Sequence, residues 1–309
     1  MGEWSKLVGE RGEEIVSSFL KLVGYNPEKG IELTCTHNKK HELKKDSPRT
    51  THGIDYFTSY KCPLQKDCLE ILNVSSKFTD NGYKADPKRE FKVFFTDLAY
   101  TIECFKRSPK RNEVQSNYRG RGIAKINETG VLFYLSNKPE DLYTDVISKT
   151  YDSLLPNDLV FDKVFVMDNN RVSFVFEVME HAKKITDSIQ FVYHDSGLVI
   201  NPSEAVNTGD FLPVQYFNSP ILLLRLESSN EISLFVALND AFNESNLKRL
   251  IGLAQKLNNL ANRTILAFPD YNKLSHEQMA KQILSVFTDN NFANNISIQS
   301  YRTNFTNQL

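Results

Sequence analysis

The sequence predicts an α/β protein built as two units. Apolar residues recur at three- and four-residue intervals in some segments and at alternate positions in others, and the two patterns take turns along the chain. A Pro-, Ser-, Asn- and Gly-rich stretch at Asn201–Pro213 interrupts them, so the expected division is 1–204 and a smaller α/β domain, 205–309, for partner binding or self-association. With 309 residues, 40% of them hydrophobic, the chain can bury one large core or two modest ones.

The first helix is expected over Lys6–Val23, where Ile15, Val16, Phe19, Leu20, Leu22 and Val23 form an apolar stripe and Gly24 ends it. After a basic loop, His37–Arg49, two strands are expected at Tyr56–Tyr60 and Leu69–Ser75. Helical spacing returns at Lys88–Arg107 through Phe91, Phe94, Phe95, Leu98, Ile102 and Phe105. Strands follow at Val131–Leu135, Leu159–Met167, Val172–Val178 and Gln190–His194, with Asp168–Asn170 read as the turn between the middle pair. Past the interruption come strands at Ile221–Glu227 and Ile232–Leu238, then a helix near Asn246–Ala261. A strand (Thr264–Phe268), a helix (His276–Thr288) and a strand (Ile296–Tyr301) finish the pattern.

No apolar run approaches the roughly 18–20 residues that cross a bilayer, and the N-terminal residues have no apolar signal core, so a cytoplasmic protein without membrane contact is expected. Residues 1–121 hold 22 Lys/Arg against 17 Asp/Glu, while the remainder holds 15 against 21. A basic first third points toward a polyanion, and the acidic remainder argues against nucleic-acid contact there. Beyond residue 205 there is no Walker A, GxGxxG or nucleophile motif. Cys35, His37, Cys62 and Cys68 can be assembled into a zinc set on paper. With no CxxC pair and an uncommon C-x5-C spacing, the four cysteines, Cys104 included, read as reduced, partly buried thiols.

The stretch LEILNVSSKF, Leu69–Phe78, carries the chemistry. Alternation places Leu69, Ile71, Asn73, Ser75 and Lys77 on one face of a strand, a face that turns from apolar to polar along its length. Such a gradient suits a strand that begins in a core and ends at a cleft. Asp55 sits at the entry to the preceding strand and Glu13 on the first helix. Two carboxylates and a lysine gathered at strand ends make a hard-oxygen site for Mg2+ with a cation beside it, the parts that phosphodiester hydrolysis needs.

Gly53-Ile54-Asp55, a gap of about twenty residues, and Ser75-Ser76-Lys77 at a strand end resemble the PD-(D/E)XK nuclease superfamily. Gly9-Glu10-Arg11-Gly12-Glu13 followed by Gly24-Tyr25 is similar to that family's leading helix. The resemblance implies a restriction-endonuclease-like αβββαβ core and cleavage of DNA dependent on Mg2+, or on Mn2+ in its place. It also implies Asp55 as the central metal ligand, Lys77 as the catalytic lysine, Glu13 as the helix acid, and the Ser76 carbonyl as a further metal ligand. Ser75 stands where the family carries an acid, so the strand offers a hydroxyl in place of a charge and Glu13 is left to supply it. Proteins of this build resemble bacterial anti-phage nucleases that work with a second subunit or as homo-oligomers. The alternative is a catalytically degenerate subunit that binds DNA or organises a complex. A basic cluster, Lys106, Arg107, Lys110, Arg111, Arg119 and Arg121, with Tyr118 and two glycines, is a candidate track for a DNA backbone.

Overall fold

A computed structural model describes residues 2–42, 47–193, 207–229, 231–257, 260–286 and 290–302. The expected division between 204 and 205 lies outside them, as do His194 and the start of the Pro-rich stretch. The described residues fall into two compact units, one through Ser173 and one from Phe174 onward.

The first unit runs α1 (Glu3–Leu22), β1 (Glu28–Thr34), β2 (Thr51–Lys61), β3 (Cys68–Thr79), α2 (Lys88–Phe105), α3 (Pro109–Asn117), β4 (Lys125–Ser136) and β5 (Lys163–Met167). Its sheet has the order β1-β2-β3-β4-β5, antiparallel from β1 to β3 and parallel from β3 to β5. The αβββαβ order that the sequence implied is therefore present, with α3 and β5 added.

Helix α1 buries Gly12, Val16, Phe19 and Leu20, residues spaced for one helical face, and Phe19 meets Phe133 of β4 edge-on at 5.4 Å. The helix ends where Gly24 takes φ 88°: the Gly24 amide donates to the Lys21 carbonyl (3.0 Å) and Tyr25 to Leu20 (2.8 Å), a Schellman cap that satisfies carbonyls the helix leaves open. The other face of the sheet receives α2 through Phe91, Phe95, Leu98, Ala99 and Ile102, packed with Leu132 and Val166, and through Phe105, which joins Leu69, Ile71 and Phe57. Full burial of each such side chain is worth about 1.5–3 kcal/mol.

Three local expectations change. The segment Val172–Val178 is a helix, α4 (Asn169–Lys183), and Asp168 caps it instead of turning a hairpin: its carboxylate accepts the Arg171 amide at 3.1 Å. Val172, Phe174, Phe176 and Val178 alternate as a strand would, yet the buried residues are Phe174, Val175, Val178, Met179 and Ala182, and Phe176 is half exposed. Strand β1 was not expected, because Leu33 alone of its residues is fully buried and its apolar signal is short. Helix α3, headed by the Ser108 cap and Pro109, occupies part of the basic cluster, where no element was expected.

The second unit carries β6 (Ser188–Val192), β7 (Thr208–Gly209), β8 (Ile221–Ser228), β9 (Glu231–Leu238), α5 (Glu244–Lys256), β10 (Arg263–Phe268), α6 (Lys273–Ser285), α7 (Asn290–Asn294) and β11 (Ile296–Ser300). Its sheet has the order β11-β10-β9-β8-β6-β7, with β9, β10 and β11 parallel and the rest antiparallel. Leu247, Leu250, Ile251 and Ala254 of α5 and Ala280 and Ile283 of α6 share one core with Leu234, Val236, Leu266 and Phe268 of the sheet.

Candidate active site

The end of β3 and the middle of β2 meet at the edge where their ladder stops. The last register pair is Tyr56 with Val74. Immediately beyond it, the Asp55 carboxylate accepts the Ser76 amide at 2.6 Å. The side chain thus continues a hydrogen bond that the backbone ladder no longer makes. A strand residue sends its N–H and its C=O toward the same neighbour. The Ser76 carbonyl therefore opens to the same edge as Asp55.

Lys77 lies on the face of β3 that packs against α2. Its ammonium is 3.4 Å from Asp97 and 5.9 Å from the centre of the Phe94 ring. Arg49 pairs with the other oxygen of Asp97 and donates to the Thr51 carbonyl at 2.8 Å. Asp97 was not foreseen as a site residue. It sits twenty residues beyond Lys77 in a helix whose pattern is dominated by phenylalanines, and only the fold of α2 onto β3 brings it to the lysine. Phe94, Asp97, Thr101 and Cys104 form a stripe at three- and four-residue spacing on the flank of α2 beside the aromatic face.

Burial pushes the Asp55 carboxyl above its ordinary range; the Ser76 amide and Lys77 oppose that shift, while Glu13 and Asp97 add to it. The three carboxylates and Lys77 thus share one electrostatic neighbourhood. The Glu13 carboxylate pairs with Lys29 of β1 at 3.0 Å, and the Glu13 carbonyl accepts the Tyr56 hydroxyl at 2.9 Å. Ser75 is buried at 7% exposure, in line with its place on the Asn73–Lys77 face. Asn73, on that face one step deeper, is fully buried, and neither its amide nitrogen nor its oxygen has a partner among the described residues.

The donor set suits a hard divalent cation. Asp55 brings an anionic oxygen whose charge is incompletely compensated at its buried position, and the Ser76 carbonyl brings a neutral oxygen.

Four of the six basic-cluster residues are already engaged. Lys106 pairs with Asp162 (2.9 Å), Lys110 with Glu28 (2.9 Å) and Glu113 (3.1 Å), and Arg111 with Glu128 (2.7 Å), while Arg107 meets His37 Nε2 at 3.2 Å. Arg119 and Arg121 are exposed and have no ion pair among the described residues. Arg121 stacks over Tyr118 at 5.3 Å, and Arg119 lines a cleft of about 690 Å³ with Tyr118, Gly120 and Gly122.

A mixed sheet entered in αβββαβ order, with Asp55 and Lys77 on adjacent strands where the β2–β3 ladder stops, defines the first unit as a PD-(D/E)XK nuclease domain. The particular family follows from the sequence profile of the GAPS4 protein PD-(D/E)XK nuclease domain, which matches residues 1–171, more than half of the chain; the chain belongs to that family. No curated protein and no solved structure matches it. No helix among the described residues is long and apolar enough to cross a membrane.

Proposed function

We propose that the chain is a Mg2+-dependent nuclease that hydrolyses DNA phosphodiester bonds in defence against phage, with Mn2+ able to replace Mg2+. The observation that carries this reading is the link from Asp55 to the Ser76 amide, one residue from Lys77, just past the end of the β2–β3 ladder. Asp55 and the Ser76 carbonyl would hold the ion, which supplies charge neutralisation on the phosphate and an activated water when bound. Lys77 stands beside that position with its ammonium kept in place by Asp97 and Phe94, ready to orient a water or to stabilise charge on the phosphate. Glu13 and Asp97 both add negative charge around Asp55, Glu13 the more strongly, with Glu13 paired to Lys29 and Asp97 shared between Arg49 and Lys77. Arg119, Arg121 and Tyr118 are the part of the basic cluster best placed to meet a backbone. The defence role rests on the family, which is defence-associated. The second unit is assigned to partner binding or self-association in a cytoplasmic complex.

Ser75 supports one competing reading, in which the fold is kept for DNA binding or assembly and the chemistry is lost. The two separate in one experiment. Plasmid and phage DNA are incubated with the protein in Mg2+, Mn2+ or EDTA, alone and with any protein that co-purifies. Metal-dependent nicking that falls at least about 100-fold in Lys77→Ala and Asp55→Ala supports the nuclease. DNA retained on the protein but left intact by the wild type, with the partner present, supports the degenerate subunit.

A further inference from the structure

Away from the sheet edge, four buried side chains converge on one point. Cys35 follows the end of β1, His41 lies in the next loop, His52 is on β2 and Cys104 is in the last turn of α2; all four are at most 4% exposed. Their donor atoms, Cys35 Sγ, His41 Nδ1, His52 Nε2 and Cys104 Sγ, lie within 4.8 Å of one another. His41 Nδ1 is 3.5 Å from Cys35 Sγ, 3.4 Å from Cys104 Sγ and 3.3 Å from His52 Nε2, and the two sulfurs are 4.0 Å apart.

Hydrogen bonding does not account for this arrangement. An imidazole nitrogen has one hydrogen or one in-plane lone pair, enough for one of the three neighbours around His41 Nδ1. A disulfide does not account for it either, since the sulfurs of a bridge lie about 2.05 Å apart. A tetrahedral zinc does. Bonds of about 2.3 Å to sulfur and about 2.0–2.1 Å to nitrogen set ligand atoms about 3.8 Å apart for S–S, about 3.5 Å for S–N and about 3.3 Å for N–N. The three separations from His41 Nδ1 match those edges within about 0.1 Å, the S–S separation is about 0.2 Å longer, and His52 Nε2 lies within 4.8 Å of both sulfurs.

The surroundings also match a metal site. His41 Nε2 is 3.1 Å from the Glu103 carboxylate and His52 Nδ1 is 3.4 Å from the Thr101 hydroxyl, so each ring's outward nitrogen has a partner that would fix the tautomer. The Thr36 amide donates to Cys104 Sγ at 3.4 Å, a bond that stabilises a thiolate. A second grouping, His37, His41 and Glu103, is a poorer candidate, because the Lys40 ammonium already occupies the Glu103 carboxylate at 2.8 Å.

We propose that Cys35, His41, His52 and Cys104 bind one Zn2+ as a closed structural site that ties β1, the loop after it and β2 to α2. Two thiolates and two imidazoles in a tetrahedron select zinc over the hard cation expected at Asp55, and four protein ligands leave no open position for catalysis. His52 is three residues before Asp55, and Cys104 is on the α2 stripe that holds Asp97. The site therefore sets the spacing between the strand that carries the metal ligand and the helix that restrains Lys77. It stands independently of the nuclease reading.

The test is elemental analysis of the full chain, purified without chelator from zinc-supplemented cultures. One zinc per chain is expected in the wild type, in Cys62→Ala and in Lys77→Ala, with loss in Cys104→Ser and His52→Ala. Because cage variants can fail to fold, the wild type is also grown with Co2+. Visible d–d bands of tetrahedral cobalt, together with a thiolate charge-transfer band, are expected. Folded wild-type protein with far less than one zinc per chain, or a cobalt spectrum lacking tetrahedral and thiolate features, overturns the proposal. Zinc present in an inactive protein upholds it while removing the nuclease reading.

Discussion

Asp97 takes part in two ion pairs, with Arg49 and with Lys77, from a position only 19% exposed. Replacing it with Asn keeps the shape and removes the charge that both cations share. Asp97→Asn is expected to lower metal-dependent cleavage about tenfold or more, and to lower stability by about 1–3 kcal/mol because both pairs are largely shielded from solvent. Steady-state cleavage beside urea denaturation checks both halves. Glu13→Gln, which removes the carboxylate that acts more strongly on Asp55, is expected to lower cleavage at least as much; a clearly smaller loss than in Asp97→Asn would make Asp97 the more important of the two acids. Of the proposed site, Asp55 and Lys77 were named from the sequence through a short motif on neighbouring strands, and the structure brings the two strands together there. Asp97 was not legible, because its position follows from how α2 packs. The cysteine–histidine cage was hidden for a like reason: Cys35 was considered with Cys62 and Cys68, whereas its neighbour in space, Cys104, is 69 residues on.

At the scale of elements, α1 owes its close seat on the sheet to one missing methyl group. A Cβ on Gly12 would lie 2.3 Å from Phe78 Cβ, whereas a Cβ on Gly9 would meet nothing within 4 Å. Alanine favours a helix over glycine by about 1 kcal/mol at either position. Gly9→Ala is therefore expected to stabilise the protein by up to about 1 kcal/mol, and Gly12→Ala to destabilise it despite that gain, since overpacking costs about 1–3 kcal/mol. Chemical denaturation of the pair decides; equal effects would mean that α1 rides up from β3 without cost. The start of α4 makes a second case. Asp168 is fully buried and accepts the amides of Val146 (2.9 Å), Ile147 (3.3 Å) and Arg171 (3.1 Å) while pairing with the Arg171 side chain at 3.1 Å. Asp168→Ala leaves the three amides without their acceptor and Arg171 with Asp145 alone, at a cost of about 3 kcal/mol or more readable in the same denaturation experiment. The strand pattern that suggested a hairpin here was read from alternate residues. The local signal that outweighs it is Asp followed by two Asn and an Arg, a helix start, and the adjacent apolar pairs Phe174-Val175 and Val178-Met179, four residues apart on one helical face.

For the molecule as a whole, each unit has its own sheet and its own apolar core. Unfolding is expected to depart from two-state behaviour, with calorimetry resolving two transitions; one transition with equal calorimetric and van't Hoff enthalpies would show instead that the cores melt together. The α/β class was legible from periodicity, and the αβββαβ element order from the family resemblance that the motifs carry, because those depend on local pattern. What long-range packing decides, the pairing of β1 and the placement of Asp97, was not. One such feature bears on how a nuclease idles. With Arg49 and Lys77 both attached to Asp97, the two cations at this site already share one carboxylate of the protein before any substrate arrives. In the proposed reaction, a phosphodiester must outcompete that internal carboxylate to reach them. A stray contact with a single phosphate then gains little, and engagement waits for a substrate that brings enough further binding along its backbone to force the exchange.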